Sequence, residues 1–404
     1  MKISRPLLLF VLPLAVVVGL AAAIPLLVPV SRFLPELQSI ASEKLGQPVT
    51  IAELSLHLLP TPRMVAKDIV VGKRSDAQIG ELEIVPDLLS FISGARAVRL
   101  IRAERVALKE SALAIPGSLP QAPGTPVLIR RVLLKQVSLQ HSTLRLPTFD
   151  IDAKLGPEGV EEAHIDSSNT ALVVKMNHEG QRVAQISVEG TLFGGTVSSS
   201  TRADWVKAWQ IAGKANVSGV DLVPVQRLLG KPPKLSGRLK AQAAYSARAR
   251  KPEQLADALA LDGPFEIHGG AYQGVDLSKA ADITGKSAAS DVTTFEEFRG
   301  NLQARGKRVH IANLCVRSPK FVAGGTVDIA PDQSLSGKLD VSLAKTSGVV
   351  GVPIALGGTT SEPSIRPTKG YIIGAAIGTI LLPGIGTGIG ASAGGAVEGH
   401  SDCK

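Results

Sequence analysis

Apolar and polar positions alternate along most of the chain beyond Pro48. A period of two places successive side chains on opposite faces of a β-strand, so each such stretch predicts a strand with one apolar and one wet face. Turn residues such as Gly194–Gly195 and Lys231–Pro233 separate these stretches, which predicts hairpins. The alternation makes these residues candidates for the apolar face: Leu54, Leu56, Leu58, Leu235, Leu239, Leu335, Leu339, Val341 and Leu343.

A helical period is confined to a few short stretches. Apolar residues recur at helix spacing from Leu34 to Leu45, with Pro35 in the first turn and Gly46 after the last. This predicts an amphipathic helix that packs on the start of the sheet, with an interfacial helix on the membrane as the alternative. Further short helices are predicted at Asp87–Ile92, Asp221–Leu229 and Glu253–Leu261.

These helices are too few for βαβ units, so the predicted fold is mainly β with a few short helices. We expect an elongated, twisted antiparallel sheet, whose apolar face must be covered by curling, by a second layer or by a ligand. If a ligand covers it, the sheet forms an apolar groove.

The N-terminus carries a long apolar run. No charged side chain occurs from Leu7 to Val30, which is enough to cross a hydrocarbon core of about 30 Å. Lys2 and Arg5 precede the run, so residues 1–32 are predicted to be a transmembrane helix with its N-terminus in the cytoplasm and the body on the other side. A signal peptide cleaved near Ala21–Ala23 is the alternative, but the apolar run continues past that point.

The C-terminal segment is also apolar and rich in glycine. Tyr371–Val397 has no charged side chain, and glycines recur at four-residue intervals, a spacing that lets helices approach closely in lipid. Pro383 and Gly384 interrupt its middle, so a helical hairpin or a membrane-inserting tip fits as well as a second transmembrane helix. We expect contact with the membrane or with a partner protein, and a flexible tail is the alternative.

Composition narrows the function. Aromatic residues make up only 3% of the chain and the cations are scattered, so the net charge of +9 does not predict nucleic-acid binding. Cys315 and Cys403 are the two cysteines, and because Cys403 lies in a polar tail we expect two unpaired thiols.

Local signatures of catalysis are absent from the sequence. No G-x-S-x-G elbow or H-E-x-x-H helix occurs, and the histidines are dispersed. The acidic pairs Asp150 with Asp152 and Glu161 with Glu162 are interpreted as wet strand positions. The sequence therefore predicts neither a cofactor site, a metal site nor an enzyme.

Several motifs carry a resemblance to a known family. LGQPVTIAELSLHLLPTPRMVAKDIVVG at Leu45–Gly72 and PDLLSFISGARAVRLIRAERVALKES at Pro86–Ser111 resemble the opening of AsmA-family proteins. VEGTLFGGTVSS at Val188–Ser199, LDGPFEIHGGAYQGVDL at Leu261–Leu277 and FEEFRGNLQARGKRVHIANLCVRSPKFVAGGTVDIA at Phe295–Ala330 are similar to later parts of that family. VPIALGGTTSEPSIRP at Val352–Pro367 is similar to its closing segment.

The resemblance implies a protein of the bacterial inner membrane whose periplasmic β-groove, related to bridge-like lipid-transfer proteins, handles phospholipid or another acyl lipid and supports outer-membrane assembly. It implies β domains over residues 33–185 and 186–368, followed by the glycine-rich segment at 369–404. A scaffold or regulator that binds another envelope protein is the competing hypothesis, with the C-terminal segment as one contact, and an enzyme is the third.

Overall fold

The computed structural model describes residues 30–88, 90, 97–114, 127–180, 182–274, 276–277, 291–343, 351–369 and 403. These residues are mainly β and form twenty strands, and the chain divides into two compact units between Met176 and Asn177. The division lies slightly before the boundary expected between residues 185 and 186. The prediction of a mainly β, twisted antiparallel sheet is confirmed.

Unit 1 begins with one helix followed by strands. Short 3₁₀ helices occur at Val30–Phe33 and Glu110–Ala114. Its elements are α1 (Leu34–Leu45), β1 (Val49–His57), β2 (Arg63–Val71), β3 (Ala77–Pro86), β4 (Ala97–Lys109), β5 (Leu128–Ile129), β6 (Arg131–Gln140), β7 (Phe149–Gly156), β8 (Gly159–Ser167) and β9 (Thr170–His178). Neighbours pair antiparallel except that β4 runs parallel to β5 and β6.

Helix α1 forms and ends as its sequence predicts. Pro35 stands in its first turn, and Gly46 ends it in the left-handed conformation with φ 61°, which glycine adopts without a Cβ clash. Its apolar side packs on the core of unit 1, which confirms packing on the start of the sheet. Gln38 donates to the carbonyl of Ile51 at 2.9 Å and Ser42 Oγ accepts from the Val49 amide at 2.9 Å, so the helix also satisfies the free edge of β1.

The strands of unit 1 change face partway along their length. Asp68, Arg105 and Gln136 have positive φ angles between 50° and 53°. In the strand register, Asp68 of β2 and Arg105 of β4 lie on either side of Gly80 of β3. A left-handed residue in a strand reverses the alternation, so apolar positions are odd on one side of it and even on the other. In β1 the inward set changes from Val49 to Leu54, and both belong to one core.

Unit 2 contains the remaining strands and a second helix. A 3₁₀ turn lies at Pro252–Gln254. The elements are β10 (Val183–Leu192), β11 (Gly195–Asp204), β12 (Trp209–Asp221), α2 (Leu222–Leu228), β13 (Leu235–Ala249), β14 (Ala260–Gln273), β15 (Val292–Arg305), β16 (Arg308–Arg317), β17 (Phe321–Ile329), β18 (Leu335–Leu343), β19 (Gly351–Gly358) and β20 (Pro363–Pro367). Consecutive strands pair antiparallel throughout.

Two of the short helices were predicted at sites that the structure can test. Helix α2 is confirmed, and the Asp221 carboxylate caps it by accepting from the Val223 amide at 2.9 Å. The helix predicted at Glu253–Leu261 is wrong: only a 3₁₀ turn forms there, because Ala260 already begins β14 and Leu261 pairs with Tyr245.

One apolar row crosses unit 2 from strand to strand. The paired residues, in order from β12 to β19, are Val220, Leu239, Ile267, Phe298, Val316, Ala323, Val341 and Val352. Most of these side chains are buried in a single core.

Rolling of the sheet closes this core. Strands β13 and β20 are seven strand-to-strand steps apart, roughly 34 Å in a flat sheet. The Lys234 ammonium, just before β13, nevertheless donates to the carbonyl of Ser361, just before β20. Leu222 of α2 also packs on the core, so curling and one helix together cover the apolar face here.

The cysteines form a disulfide, which corrects the expectation of two free thiols. Cys315 in β16 is joined to Cys403, with their Cα atoms 5.4 Å apart. Cys315 is 4% exposed and alternates with Val316 of the apolar row, so the bond lies on the opposite face of the sheet. The covalent link returns the chain's second-last residue to a central strand of unit 2, which the polar character of the tail did not suggest.

Three predictions lie wholly or largely outside the described residues. These are the transmembrane helix at residues 1–32, the apolar segment Tyr371–Val397 and most of the helix Asp87–Ile92. Within the described part of the chain, no helix has the length and apolar character needed to cross a membrane.

The closed core of unit 2 predicts the effect of a charge at its centre. Val341 is fully buried, with 0% exposure, so Val341→Asp should lower the free energy of unfolding by more than about 4 kcal/mol. Lys338→Asp on the opposite face of the same strand is the control and should change it by less than about 0.5 kcal/mol. Urea denaturation followed by far-UV circular dichroism measures both, and equal stabilities would show that β18 is not core.

The disulfide predicts a second effect on stability. It joins positions 88 residues apart, and loss of such a cross-link raises the entropy of the unfolded chain by an amount worth about 4 kcal/mol. Cys403→Ser should therefore shift urea denaturation to lower concentration, and dithiothreitol should produce the same shift in the unaltered protein. Dithiothreitol should have no further effect on Cys403→Ser, and a shift there would show that the disulfide is not its target.

Candidate functional site

The residues predicted to form the apolar face lie in two separate cores. Leu54 is buried under α1 in unit 1, whereas Leu56 and Leu58 are half-buried. In unit 2, Leu339 and Val341 are buried at 5% and 0% exposure, and three half-buried leucines pack against them: Leu235, Leu239 and Leu335. Leu343 is the last residue of β18, and its side chain lies outside the described part.

Apolar side chains form two rows that cross eight strands of unit 1. Read across the register from β1 to β4 and then β6 to β9, the first row is Leu54, Ala66, Leu82, Ala103, Leu134, Ile151, Ile165 and Leu172. The second is Leu56, Met64, Ile84, Ile101, Val132, Ala153, Ala163 and Val174. Cross-strand partners lie about 5 Å apart, so each row is a continuous apolar strip perpendicular to the strands.

Among the described residues, a helix covers one end of these rows and not the other. Helix α1 packs on β1, and the main helical contacts among the described residues do not extend to β6–β9. At that end the side chains of Ile151, Ile165, Leu172 and Val174 remain half-buried although no second layer of described helix lies over them. This part of the sheet therefore has a half-buried apolar face without a described helix above it.

The opposite face of unit 1 is charged and largely self-neutralised. Lys67 pairs with Glu53 at 3.2 Å, and Glu83 forms ion pairs with both Arg63 at 3.5 Å and Arg102 at 3.4 Å. These side chains line a cleft of about 530 Å³ together with Ser55 and His57. Acids and bases alternate there, so the face suits water better than a charged ligand of one sign.

Small side chains predominate on one face of β10–β13 in unit 2. Its cross-strand partners are mostly small, including Val188, Ser199, Ala215 and Ala243 in one row. Tyr245 lies above Gly213, where an added Cβ would come within 2.9 Å of the phenol oxygen, so only glycine leaves room for the ring.

The phenol of Tyr245 spans β12 and reaches two hydroxyl groups on β11. It shares a hydrogen bond with Ser199 Oγ at 2.7 Å and another with Thr201 Oγ1. These hydrogen bonds satisfy the phenol oxygen, while the ring covers part of the face formed by β11–β13.

A cleft in unit 2 lies across strands β14–β19. It measures about 650 Å³ and lies beside the disulfide of Cys315 and Cys403, with Glu266, Arg299 and Asp340 among its lining residues. Phe265, Leu339 and Ile354, which belong to the core of unit 2, also line it, so its walls are both charged and apolar.

Three of the four acidic side chains are engaged in ion pairs, namely Asp150, Asp152 and Glu162. Two hydrogen bonds from the Arg131 guanidinium, one of 2.8 Å, hold the pKa of Asp152 below its usual value. A hydrogen bond from the Lys135 ammonium at 2.8 Å, helped by the Gln136 amide, does the same for the pKa of Asp150. Both carboxylates therefore stay ionised at neutral pH and are poorly suited to donate a proton.

The neighbouring acid Glu162 is held in the same way. The hydrogen bond from His164, followed by that from Lys154, lowers the pKa of its carboxyl group. Among the residues that the structure describes, no group of three His, Cys, Asp or Glu side chains is arranged to hold a metal ion.

The sequence carried a signal for the open strands that the prediction did not use. Leu172, Val174 and Met176 recur at every second position of β9, as Ile211 and Val217 lie on one face of β12. What the sequence did not show is which alternating strands would be covered.

Comparison of the chain with protein-family models, with curated proteins and with solved structures finds no match to any of them.

Proposed function

We propose that this chain is an AsmA-like protein of the bacterial inner membrane whose periplasmic sheet binds phospholipid acyl chains on its apolar face. The observation that carries the proposal is the pair of apolar rows in unit 1, which continue over β6–β9 without a described helix above them. An apolar strip that crosses several strands is larger than soluble proteins usually leave exposed.

Acyl chains suit this surface chemically. The half-buried side chains of the strip are aliphatic, so a ligand needs no hydrogen bond to them and gains roughly 0.8 kcal/mol for each CH₂ that it buries. The strip crosses the strands, and three strand-to-strand steps from β6 to β9 cover roughly 14 Å, a length that matches part of an extended acyl chain.

We assign no lipid-binding surface to the buried core of unit 2. Leu339 and Val341 sit in a core closed by rolling, so the lipid surface is assigned to the half-buried strands and not to β18. The face of β10–β13 that carries mostly small side chains is the corresponding surface of unit 2. The proposal assigns no catalytic role and no cofactor to the chain.

Adjacent valines of β9 provide the test of lipid binding. Val174 pairs with Ala163 on the apolar face, whereas Val173 pairs with His164 on the charged face. Val174→Asp should reduce co-purified phospholipid several-fold in native mass spectrometry of the detergent-extracted full chain, because it places a charge against the acyl chain. Far-UV circular dichroism should stay unchanged.

Val173→Asp is the matched control and should keep its lipid. Equal lipid in the two variants would place the bound lipid elsewhere or exclude it. Unfolding of Val174→Asp alone would mean that this face is ordinary core. A folded protein that carries no lipid in any form would favour the scaffold that binds another envelope protein.

The topology is tested at the N-terminus. Lys2 and Arg5 before the apolar run should retain the N-terminus in the cytoplasm, so alkaline phosphatase fused after Val49 should be active. Green fluorescent protein fused at the same point should not fluoresce when it is exported through the general secretory route. Fluorescence with inactive phosphatase would place the body in the cytoplasm and remove the basis for a periplasmic role.

A further inference from the structure

Both tryptophans of the chain stand at one hairpin tip. Trp205 directly follows β11 and Trp209 begins β12, and their rings stack with centroids 5.7 Å apart and planes 20° apart. The remaining aromatic contacts of the described residues lie between phenylalanines in the core of unit 2. The stacked pair is thus separate from the core.

Hydrogen bonds hold the tip in one conformation. The Asp204 carboxylate accepts from the Val206 amide at 2.8 Å, as in an Asx turn. The Trp205 amide donates to the carbonyl of Arg182 at 3.0 Å, and the Arg182 guanidinium donates back to the carbonyl of Val206 at 3.4 Å. The turn therefore presents its side chains in a fixed arrangement.

The tip directs apolar surface outward. Val206, between the two tryptophans, is 49% exposed and belongs to neither core, while the next residue, Lys207, is also exposed. Most large apolar strand residues of β14–β19 instead pack in the core of the unit, and Val292 at the start of β15 is an exception. An exposed valine flanked by a stacked indole pair does not contribute to the closed core.

The surroundings of the tip are basic. Four exposed cations lie in or beside the tip: Arg182, Lys207, Arg248 and Arg250. The last two stand on either side of Ala249, which pairs with Trp209 across the strands. Within the described part of the chain, none of the four forms an ion pair. Glu179 is already paired with Arg202 at 2.7 Å, so it does not offset them.

We propose that this hairpin tip docks on the surface of an anionic lipid bilayer. Indole rings favour the boundary between acyl chains and headgroups, the valine supplies a side chain that enters the apolar layer, and the cations face anionic headgroups. This combination distinguishes a bilayer from an acidic protein surface, which gains less from two half-buried indoles. The proposal stands independently of lipid binding in the sheet.

The two tryptophans make the test specific, because tryptophan fluorescence, excited at a wavelength that the three tyrosines do not absorb, reports on this hairpin alone. The full chain is reconstituted into phosphatidylcholine vesicles that contain about one-third phosphatidylglycerol, a proportion that gives a strongly anionic surface. Brominated acyl chains in these lipids should quench at least half of the emission relative to unbrominated lipids. Quenching should weaken when phosphatidylglycerol is omitted or salt is raised.

A charge-reversed tip separates docking from quenching by lipid bound in the sheet. Val206→Asp combined with Lys207→Glu should relieve the quenching at least two-fold and leave the number of co-purified lipids unchanged. Val292→Asp is the control, since this exposed valine begins β15 at the opposite end of the strands and should leave quenching as it is.

Two results would overturn the proposal. Equal emission in brominated and unbrominated vesicles would mean that the tip does not meet the bilayer, as expected if its partner is a protein. Quenching that persists in the charge-reversed variant would assign the signal to lipid held elsewhere. If that variant has an altered circular dichroism spectrum, the milder double variant Val206→Ser with Lys207→Gln is measured in its place, and persistent quenching would again overturn the proposal.

Discussion

Apolar side chains on one face of each strand line up with those of the next strand, and the fold must bury the surface that results. A sheet of one layer has no partner sheet to do this, so cover comes from rolling, from a helix or from a ligand. Unit 2 rolls until Lys234 contacts Ser361, which leaves Val341 without exposure. Unit 1 places α1 over β1 and leaves the rows over β6–β9 half-buried.

Local features could be predicted from the sequence because they depend on neighbours in the chain. The alternation after Pro48 predicted strands, and Pro35 with Gly46 predicted both ends of α1. Asp221 before the apolar stretch of α2 is a helix cap of the same local kind. In each case the determining atoms lie within a few residues, so the sequence contains the whole interaction.

Features that depend on distant partners could not be predicted. Leu339 and Leu172 stand in equally regular alternation, yet the first is buried and the second is half-buried, because only the first lies under the rolled part of unit 2. The reversal at Asp68 and Arg105 involves non-glycine residues that face Gly80 on the neighbouring strand β3, so it depends on pairing between strands. The bond between Cys315 and Cys403 likewise joins segments that the sequence gives no reason to pair.

The distribution of charge shows the same division between local pattern and assembled surface. The outer face of unit 1 carries many bases, but Arg63, Lys67 and Arg131 each meet a carboxylate on a neighbouring strand. Such pairing leaves little net charge on the face and keeps it soluble while its reverse side is apolar. The excess positive charge of the chain must therefore lie outside these pairs.

At the β11–β12 hairpin, unpaired cations surround two indoles and an exposed valine. Cations that are scattered singly along the sequence are brought together there by strand pairing, and they form one surface that is both positive and apolar.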